Sequence, residues 1–415
     1  MADCPDGVYA PLISGTQVAN SSVVGEFAAA SHGTLSHDGA RLLAPSNNAA
    51  WLPAKRAEFE IKPAPYTSPR GNEIVVRNRA VAINPLDWLT QSMGDIFFPW
   101  IKYPFIAGSD VAGEVVEVGT DVSRFKVGDR VLGHAVGADK KRNSSAQGAF
   151  QKYTVLLAHM ASPIPDAMAC ENAAVLPLTL STAACGLFQK DQLALRHPSA
   201  HPEPTGKTLL VWGGSTSLGS NAIQLAVAAG YEVVATASPK NFGYVRRLGA
   251  AQVFDYRSRT VVKDIIKALD GRVIAGALAI GAGSTRACLD IVHACKGNKF
   301  VSIATTPVSF DKAPKGRRRT LWLVPTMARM IAATAAMTVK AKTRGIRTKF
   351  IFGTTLFDNE VGPMIYADFL PSALADGRYV AAPDPLVVGR GLDQIPPALE
   401  AQKKGVSARK LVVAL

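Results

Sequence analysis

The chain has 415 residues, of which 48% are hydrophobic and 19% are charged. This composition excludes a largely disordered protein, and the length predicts two domains because one hydrophobic core rarely supports so long a chain. The formal net charge of +14 is local: residues 312–349 hold eleven Lys or Arg and no acid, which leaves +3 for the remainder. These basic residues adjoin an apolar run with few aromatic side chains to stack on bases, so nucleic-acid binding is not favoured.

Residues 1–46 are rich in Ser, Gly, Ala and Asn and show little periodicity, which predicts a flexible extension. The sequence does not open with a basic and apolar signal segment. Its cysteines are odd in number and have no CxxC spacing, so we predict free thiols and a reducing, cytoplasmic location. The five cysteines are Cys4, Cys170, Cys185, Cys288 and Cys295.

After this extension the pattern changes to short Val-rich runs separated by Gly, Pro and Asp. Residues 72–83, 109–119 and 129–136 are such runs, and they are typical of strands joined by turns. We therefore predict a β-rich domain over residues 47–178. The terminal segment KLVVAL is predicted to be a strand that returns to this domain, which then also includes residues 354–415.

Residues 179–353 alternate apolar runs with helical patterns. The runs at 207–214, 231–238 and 251–256 are predicted to be strands, with helices between them. Apolar strands interleaved with helices imply a parallel sheet that is covered on both faces. The predicted fold class is therefore α/β, in which a β-rich domain accompanies a Rossmann domain with a doubly wound parallel sheet.

The segment VWGGSTSLGSNAIQLA leads from an apolar strand through a glycine-containing turn into a helix. Gly213 and Gly214 allow a tight turn, and Gly219 lets the helix pack on the strand. The amino terminus of such a helix is suited to bind a pyrophosphate. Many turns of this type carry glycine for steric reasons alone, so that alternative stays open. The predicted cofactor-binding residues here are Gly214, Ser215, Thr216, Ser217, Leu218 and Gly219.

The second strand of this domain ends in VVATASPKN and lacks the acid that often binds the ribose hydroxyls of NAD. Ser238, Pro239, Lys240 and Asn241 follow instead, and their donors and positive charge suit a 2′-phosphate, which predicts NADPH as the cofactor. Tyr256 ends the third strand. We predict that it covers the adenine or reaches the same phosphate, and an ordinary strand-end tyrosine is an equal alternative.

An ordered set of segments makes the chain resemble the medium-chain dehydrogenase/reductase superfamily, and within it the zinc-independent enoyl reductases that act in trans with fungal polyketide synthases. Among these segments are NPLDWLTQ, PFIAGSDVAGEVVEVG, FKVGDRVLG, GAFQKYTV, VLPLTLSTA, GGSTSLG and IFGTTL. The resemblance implies a GroES-like catalytic domain beside the Rossmann domain. It also implies reduction of an activated C=C bond in an enone or enoyl thioester with NADPH, with a polyketide synthase as a candidate partner. The oligomeric state is left open between a monomer and a homodimer.

Two other functions stay open. Quinone reduction is the alternative activity within the same superfamily. A non-catalytic nucleotide-binding adaptor that acts through its basic segment is the alternative from another functional class.

Zinc-dependent relatives hold a catalytic zinc through three side chains, and the resemblance aligns those positions with Asn84, Ser109 and Leu178. None of these side chains binds zinc well. The region between Gly128 and Phe150 also lacks the cysteines that form a structural zinc lobe in such relatives. We therefore predict no metal, and without a Lewis acid conjugate reduction is favoured over alcohol oxidation.

The resemblance implies that Asn84, Pro85, Leu86 and Asp87 border the nicotinamide, with Thr182 beneath the ring. Asn84, Asp87 and Thr182 are thus the predicted catalytic residues. Asn84 is assigned as a donor to the substrate carbonyl, although capping the following turn is an equal alternative. Asp87 is either a polar turn residue or a partner that orients the site.

Further contacts follow from the same resemblance. Backbone groups for the nicotinamide carboxamide are predicted around Ile303, Ala304, Phe352 and Gly353. Lys410 is a candidate for contact with the pyrophosphate, although an ordinary surface lysine is the favoured interpretation. The proton donor is left open between Tyr103, Ser109 and solvent.

The segment 312–345 departs from the superfamily's pattern, which needs only a short connection there. Its apolar stretch from Leu321 to Val339 contains Pro325 and Arg329, which disfavours a membrane-spanning helix. A plain surface insertion that packs on the protein is the favoured interpretation. Methionines at helical spacing and basic flanks also suit a helix that binds a membrane surface or a protein partner, which is the first alternative. An error in the gene model is the second.

Overall fold

The computed structural model describes residues 45–314, 316 and 318–415. The predicted N-terminal extension, apart from its last two residues, therefore lies outside the described residues, as does Cys4. Residues 46–415 form one compact unit. Within it, two separate large sheets lie in the two regions that the sequence assigned to a β-rich domain and a Rossmann domain.

We number the elements of the described residues in chain order. The strands are β1 Asn47–Leu52, β2 Glu60–Ala64, β3 Glu73–Ala82, β4 Phe105–Ile106, β5 Asp110–Val118, β6 Arg130–His134, β7 Tyr153–Leu157, β8 Ala161–Pro163, β9 Lys207–Trp212, β10 Glu232–Ala237, β11 Gln252–Asp255, β12 Val273–Ala279, β13 Lys296–Gly297, β14 Phe300–Ile303, β15 Arg347–Phe350, β16 Pro385–Arg390 and β17 Lys410–Ala414. The α-helices are α1 Pro85–Phe97, α2 Cys170–Ala173, α3 Pro177–Phe188, α4 Ser217–Ala228, α5 Phe242–Arg247, α6 Val261–Ala268, α7 Ser284–Ala294, α8 Arg318–Thr343, α9 Val361–Pro363, α10 Leu370–Ala375 and α11 Ile395–Lys404.

The first large sheet has the strand order β16-β17-β3-β5-β6-β8, and β7 also pairs with β3. Val-rich β3 and β5 form its antiparallel centre, with Val76 opposite Val115. The C-terminal strand β17 pairs antiparallel with β3, placing Val413 opposite Val81. The prediction that KLVVAL returns to the first domain is therefore confirmed, and it brings the last residues of the chain beside α1.

The second large sheet is parallel along the order β11-β10-β9-β12-β14-β15. The first strand in the sequence lies at the centre and the chain then winds outward in both directions, which is the doubly wound Rossmann order. Leu209, Leu210 and Val211 of β9 are fully or almost fully buried, because helices cover both faces. The predicted α/β fold class is confirmed.

The basic and apolar segment forms α8, a helix of 26 residues with Pro325 in its interior. Thr326 Oγ1 donates a hydrogen bond of 2.7 Å to the Trp322 carbonyl across this proline. By length and composition the helix could cross a membrane, and only 6% of its most apolar window is buried. One such helix is weak evidence for a span, so the contacts of its two faces matter more.

The cysteines of the described residues are free thiols, as predicted. Cys170, Cys185, Cys288 and Cys295 are all buried and form no disulfide. Burial raises the pKa of the Cys185 thiol to about 12 and raises that of Cys288 further. These thiols are therefore packing residues rather than nucleophiles, because the reactive form of cysteine is the thiolate.

Candidate active site

The glycine turn after β9 is fastened to the neighbouring strand. Gly213 has a φ of +93°, and its N–H donates to Thr236 Oγ1 at 3.0 Å. The Gly214 N–H donates to the Thr236 carbonyl at 2.8 Å. These bonds hold the turn open at the carboxyl edge of the sheet, where a doubly wound fold binds its ligand.

At the start of α4 the backbone of the helix packs closely against the backbone of the glycine turn. Thr216 caps the helix, since its Oγ1 accepts a bond of 3.0 Å from the Gly219 N–H. A Cβ atom at position 219 would lie 2.2 Å from the Gly213 carbonyl oxygen. Sterics therefore explain Gly219. Ser215, Thr216 and Ser217 remain accessible, so the helix terminus is also open to an anion.

The turn after β10 presents one accessible cation to this edge. Ser238 is buried, and Asn241 Nδ2 donates to both Ser238 Oγ and Ser407 Oγ at 3.2 Å. Lys240 is exposed and makes no ion pair with a described residue. Asn241 therefore braces the turn, and Lys240 is the group available for a phosphate.

Tyr256 follows β11 at the same edge and is 46% exposed. The guanidinium of Arg257 lies over its ring, 5.4 Å from the centroid. Tyr256 and Arg257 are both exposed. They lie beside the turn that carries Lys240, because β10 and β11 end in register at Ala237 and Asp255. The sequence analysis missed Arg257, and the signal was a basic residue directly after the selected tyrosine.

Asn84 and Asp87 form a buried cap on α1. Asn84 occupies the N-cap position, and its backbone N–H donates to Asp87 Oδ2 at 2.7 Å. The capping bond is thus made by the carboxyl group of Asp87, and the alternative in which the Asn84 side chain caps the turn stays a prediction. Burial raises the pKa of Asp87 to about 8, and the bond from Asn84 partly opposes that rise. Asp87 therefore largely holds a proton near neutral pH.

A buried carboxylate, Asp110, joins this cap to α3. Its Oδ2 accepts a bond of 2.7 Å from Asn84 Nδ2, and its Oδ1 accepts one of 2.6 Å from the Leu178 N–H. A carboxylate accepts hydrogen bonds, so this contact fixes the amide of Asn84 with its NH₂ group towards Asp110. The sequence analysis missed Asp110, whose signal was an acid directly after Ser109 at the start of an apolar strand.

Lys410 completes the buried cluster from β17. Its Nζ lies 2.6 Å from Asp110 Oδ2 and donates to the Val175 carbonyl at 3.0 Å. The two side chains are 3% and 0% exposed, so the favoured interpretation of Lys410 as a surface lysine is wrong. The contact with a pyrophosphate stays a prediction. In this structure Lys410 neutralises a carboxylate that has been removed from water.

Thr182 and Gly353 meet although they are far apart in sequence. Thr182 lies on α3, is partly exposed, and donates from Oγ1 to the Leu178 carbonyl at 2.7 Å. A Cβ atom at position 353 would lie 2.3 Å from Thr182 Oγ1. Two of the residues predicted at the nicotinamide are therefore neighbours, and Leu178 links them to Asp110.

A second buried chain of hydrogen bonds runs behind α3. Tyr366 donates to the Pro177 carbonyl at 2.8 Å, so Ser181 donates to the Tyr366 hydroxyl and accepts from His134 Nδ1. Burial lowers the pKa of His134 to about 4. His134 is therefore neutral, carries its proton on Nδ1, and leaves Nε2 without a hydrogen-bond partner among the described residues.

The remaining candidates differ in position. The Ala304 N–H is used by the Ala279 carbonyl at 2.9 Å, which leaves the Ala304 carbonyl for a ligand. Ile303 ends β14 and is half-buried, whereas Phe352 is 61% exposed. Both lie on strand ends or turns at the carboxyl edge of the parallel sheet.

The two side chains proposed as proton donors lie at different distances from the buried cluster. The Tyr103 hydroxyl packs over Gly94, ten residues along α1 from Asn84, a separation of about 15 Å on a helix. Ser109 is 5% exposed and adjoins Asp110. The structure therefore brings Ser109, and not Tyr103, to the buried cluster.

Residues 70–166 match the family described as the alcohol dehydrogenase GroES-like domain. The dehydrogenase pigH of Monascus ruber is 54% identical over 373 residues, covering 89% of this chain and all of pigH. The chain belongs to the medium-chain dehydrogenase/reductase superfamily. It is accordingly an oxidoreductase with a GroES-like domain and a Rossmann domain.

One further relative and one solved structure are also similar to this chain. The trans-enoyl reductase himH of Aspergillus japonicus is 38% identical over 372 residues, covering 88% of this chain and 97% of himH. The structure of mycobacterial Rv1454c, complexed with NADPH, superposes with a TM-score of 0.61 at 19% identity, covering 89% of this chain and 100% of that one. The last similarity concerns the fold alone.

The positions that hold zinc in other members of the superfamily surround Asp110 in this chain. Asn84 and the Leu178 backbone both bind this carboxylate, and Ser109 precedes it. In the part of the chain that the structure describes, no group of three His, Cys, Asp or Glu residues could hold a metal ion. The absence of zinc remains a prediction, and the donor set offers zinc no good site.

Proposed function

We propose that this protein transfers hydride from NADPH to the β-carbon of an activated C=C bond, in an enone or an enoyl thioester, without a catalytic metal. The observation that carries the proposal is that both oxygens of the buried Asp110 are already engaged by groups of the protein. Its two oxygens are taken by Asn84, Leu178 and Lys410. Paired with Lys410 and holding Asn84 and α3, this carboxylate is poorly suited to bind a metal ion or to take the proton of an alcohol.

The nucleotide site fits NADPH. Gly219 leaves room for a close backbone approach at the start of α4, where accessible hydroxyls and N–H groups face an incoming phosphate. Lys240 adds an accessible positive charge after β10, where the acid typical of NAD-binding folds is missing. Bound there, NADPH supplies the hydride for the reaction.

The residues of the chain orient the substrate and stabilise the negative charge that forms on it. Asp110 holds one N–H of the Asn84 amide and fixes its direction, so the second N–H is the donor that we assign to the substrate carbonyl. Hydride addition to the β-carbon places negative charge on that carbonyl oxygen, and a fixed donor stabilises the transition state more than the ground state. The α-carbon of the resulting enolate then takes a proton from Ser109 or from solvent, which gives the saturated product and NADP⁺. Thr182 and Gly353 shape the surface on which the nicotinamide would lie.

The name of one relative supports a particular class of substrate for this chain. The name of himH describes a trans-enoyl reductase, and we propose the same reaction class for this chain, with a carrier-tethered polyketide intermediate as substrate and a polyketide synthase as partner. A cytoplasmic location belongs to the same proposal. Quinones remain the comparison substrates in any assay, because their reduction requires the same cofactor.

Replacing Lys240 with serine tests the cofactor assignment. We expect the KM for NADPH to rise roughly tenfold to a hundredfold and the KM for NADH to stay unchanged, because a charge-assisted bond contributes about 1.5 to 3 kcal/mol. The measurement is steady-state loss of nicotinamide absorbance with an enone as acceptor.

Lys207→Ser is the matched control, since this exposed lysine begins β9 at the opposite edge of the same sheet. It should leave both KM values unchanged. A Lys240→Ser enzyme with an unaltered preference for NADPH over NADH would refute the assignment of the 2′-phosphate to this turn.

A further inference from the structure

Helix α8 is apolar on two opposite faces. Along one face, residues at spacings of three and four turn towards the protein, among them Trp322, Met330 and Met337. Along the other face, residues with the same spacings are exposed: Leu321, Val324, Ala328, Ile331, Ala335 and Val339. An apolar helix face is normally buried against another surface, so the exposed face of α8 is a candidate docking surface.

The inner face fixes the helix to both domains. Near its start, Arg319 Nη2 lies 2.9 Å from Asp95 Oδ1 of α1, and Trp322 packs edge-on against Phe310. Near its end, Lys340 pairs with Asp290 of α7 at 2.8 Å. Because both ends are anchored, the outer face is presented as a fixed surface and needs no rearrangement to be available.

The exposed face carries large apolar side chains. Leu321 is 80% exposed, Val324 66%, Ile331 64% and Val339 61%. Such a continuous row on one helix differs from the single apolar residues that are scattered over any protein surface. Covering this row would remove it from water with a favourable free energy.

Charge distinguishes between the candidate occupants. The helix contains no acid, and the exposed side chains of Arg318 and Arg329 lie along one border of the apolar row. A second copy of the same helix would bring like charges together, whereas an anionic surface would complement them. We propose that the outer face of α8 docks the protein onto a membrane surface that contains anionic lipids.

The helix lies on such a surface and does not cross it. Its inner face is bonded to the protein through Arg319 and Lys340, and a spanning helix would have to break both ion pairs. Arg329 at mid-helix would also have to enter the hydrocarbon core at a cost of several kcal/mol. A row of apolar side chains with an arginine border is instead typical of an interfacial helix.

Vesicle co-sedimentation of the full chain tests this proposal. We expect binding to vesicles of phosphatidylcholine and phosphatidylserine in equal parts, and little binding to phosphatidylcholine alone. The double variant Val324→Glu/Ile331→Glu should abolish binding. Arg318→Gln/Arg329→Gln should weaken it roughly thirtyfold, because each basic side chain near an anionic surface contributes about 1 kcal/mol.

The matched control is Val127→Glu/Val380→Glu, which adds two acids at apolar positions elsewhere that are 62% and 47% exposed. This variant should bind as the parent does, and all variants should unfold at similar temperatures. Three results would overturn the proposal: no binding to anionic vesicles, equal binding to both vesicle types, or unchanged binding by Val324→Glu/Ile331→Glu. The proposal would also be overturned if the parent protein were a dimer that dissociates in Val324→Glu/Ile331→Glu. In that case a second copy of the chain covers the outer face of α8.

Discussion

Gly219→Ala is expected to lower the affinity for NADPH by about a hundredfold or more, since several bonds to phosphate of about 1.5 to 3 kcal/mol each would be lost. The added Cβ would lie 2.2 Å from the Gly213 carbonyl oxygen and 2.8 Å from Gly214 Cα. Both neighbours are backbone atoms held by Thr236, so neither can move without opening the turn. Fluorescence titration with NADPH measures the effect.

The control for this substitution is Gly243→Ala. Gly243 lies on α5 of the same domain, and a Cβ there would meet only the flexible end of Arg247, at 3.7 Å. The control should bind NADPH like the parent protein. If Gly219→Ala also binds normally while it folds like the parent, the cofactor does not approach the start of α4.

Lys410→Met is expected to lower the free energy of unfolding by about 3 to 5 kcal/mol, because it leaves a buried carboxylate without its counter-ion. Asp110 is fully buried, and Lys410 supplies the positive charge that lies 2.6 Å from it. Urea denaturation measures the change. We also expect kcat for enone reduction to fall, since Asp110 orients both Asn84 and α3.

Two further variants test whether the unpaired charge of Asp110 causes the loss of stability in Lys410→Met. Lys126→Met removes an ion pair in which the lysine is 85% exposed, and it should leave the free energy of unfolding almost unchanged because solvent screens such a pair. Asp110→Asn/Lys410→Met removes both charges and should recover part of the stability lost in Lys410→Met. A Lys410→Met protein as stable as Lys126→Met would contradict the buried pair as the support of this site.

The local part of the fold was predictable from the sequence. Alternation of apolar runs with helical patterns predicted the parallel sheet, and the prediction is confirmed by β9, β10 and β11 lying side by side in parallel. The turn at Gly213 was equally local, because a strand, a glycine and a helix start follow one another directly. The Val-rich C-terminal segment identified β17, since a strand that is buried on both sides has few polar residues.

The buried cluster could not be predicted in the same way. Asp110 and Lys410 are three hundred residues apart, and each looks unremarkable within its own strand. The pairing of Thr182 with Gly353 likewise depends on how α3 packs against the end of the parallel sheet. Neither periodicity nor spacing encodes such contacts, so the sequence offered Asn84 and Asp87 without the carboxylate that connects them to α3.

For α8 the sequence predicted the helix but not the direction in which each of its faces points. Its methionine spacing predicted a helix, and Met330 and Met337 do pack against the protein. The same pattern cannot reveal which of two apolar faces is turned inward, because both repeat with helical spacing. The ion pairs of Arg319 and Lys340 and the packing of these methionines identify the inner face and thereby the exposed one.

The most direct test of the proposed reaction follows deuterium from NADPH that is labelled at the transferable position of the nicotinamide. The protein is treated with a metal chelator and incubated with an enoyl thioester, and the product is analysed by mass spectrometry and NMR. We expect a saturated thioester with one deuterium at its β-carbon and an unchanged rate after chelation. Loss of turnover on chelation, or deuterium on a carbinol carbon, would contradict metal-free reduction of the C=C bond.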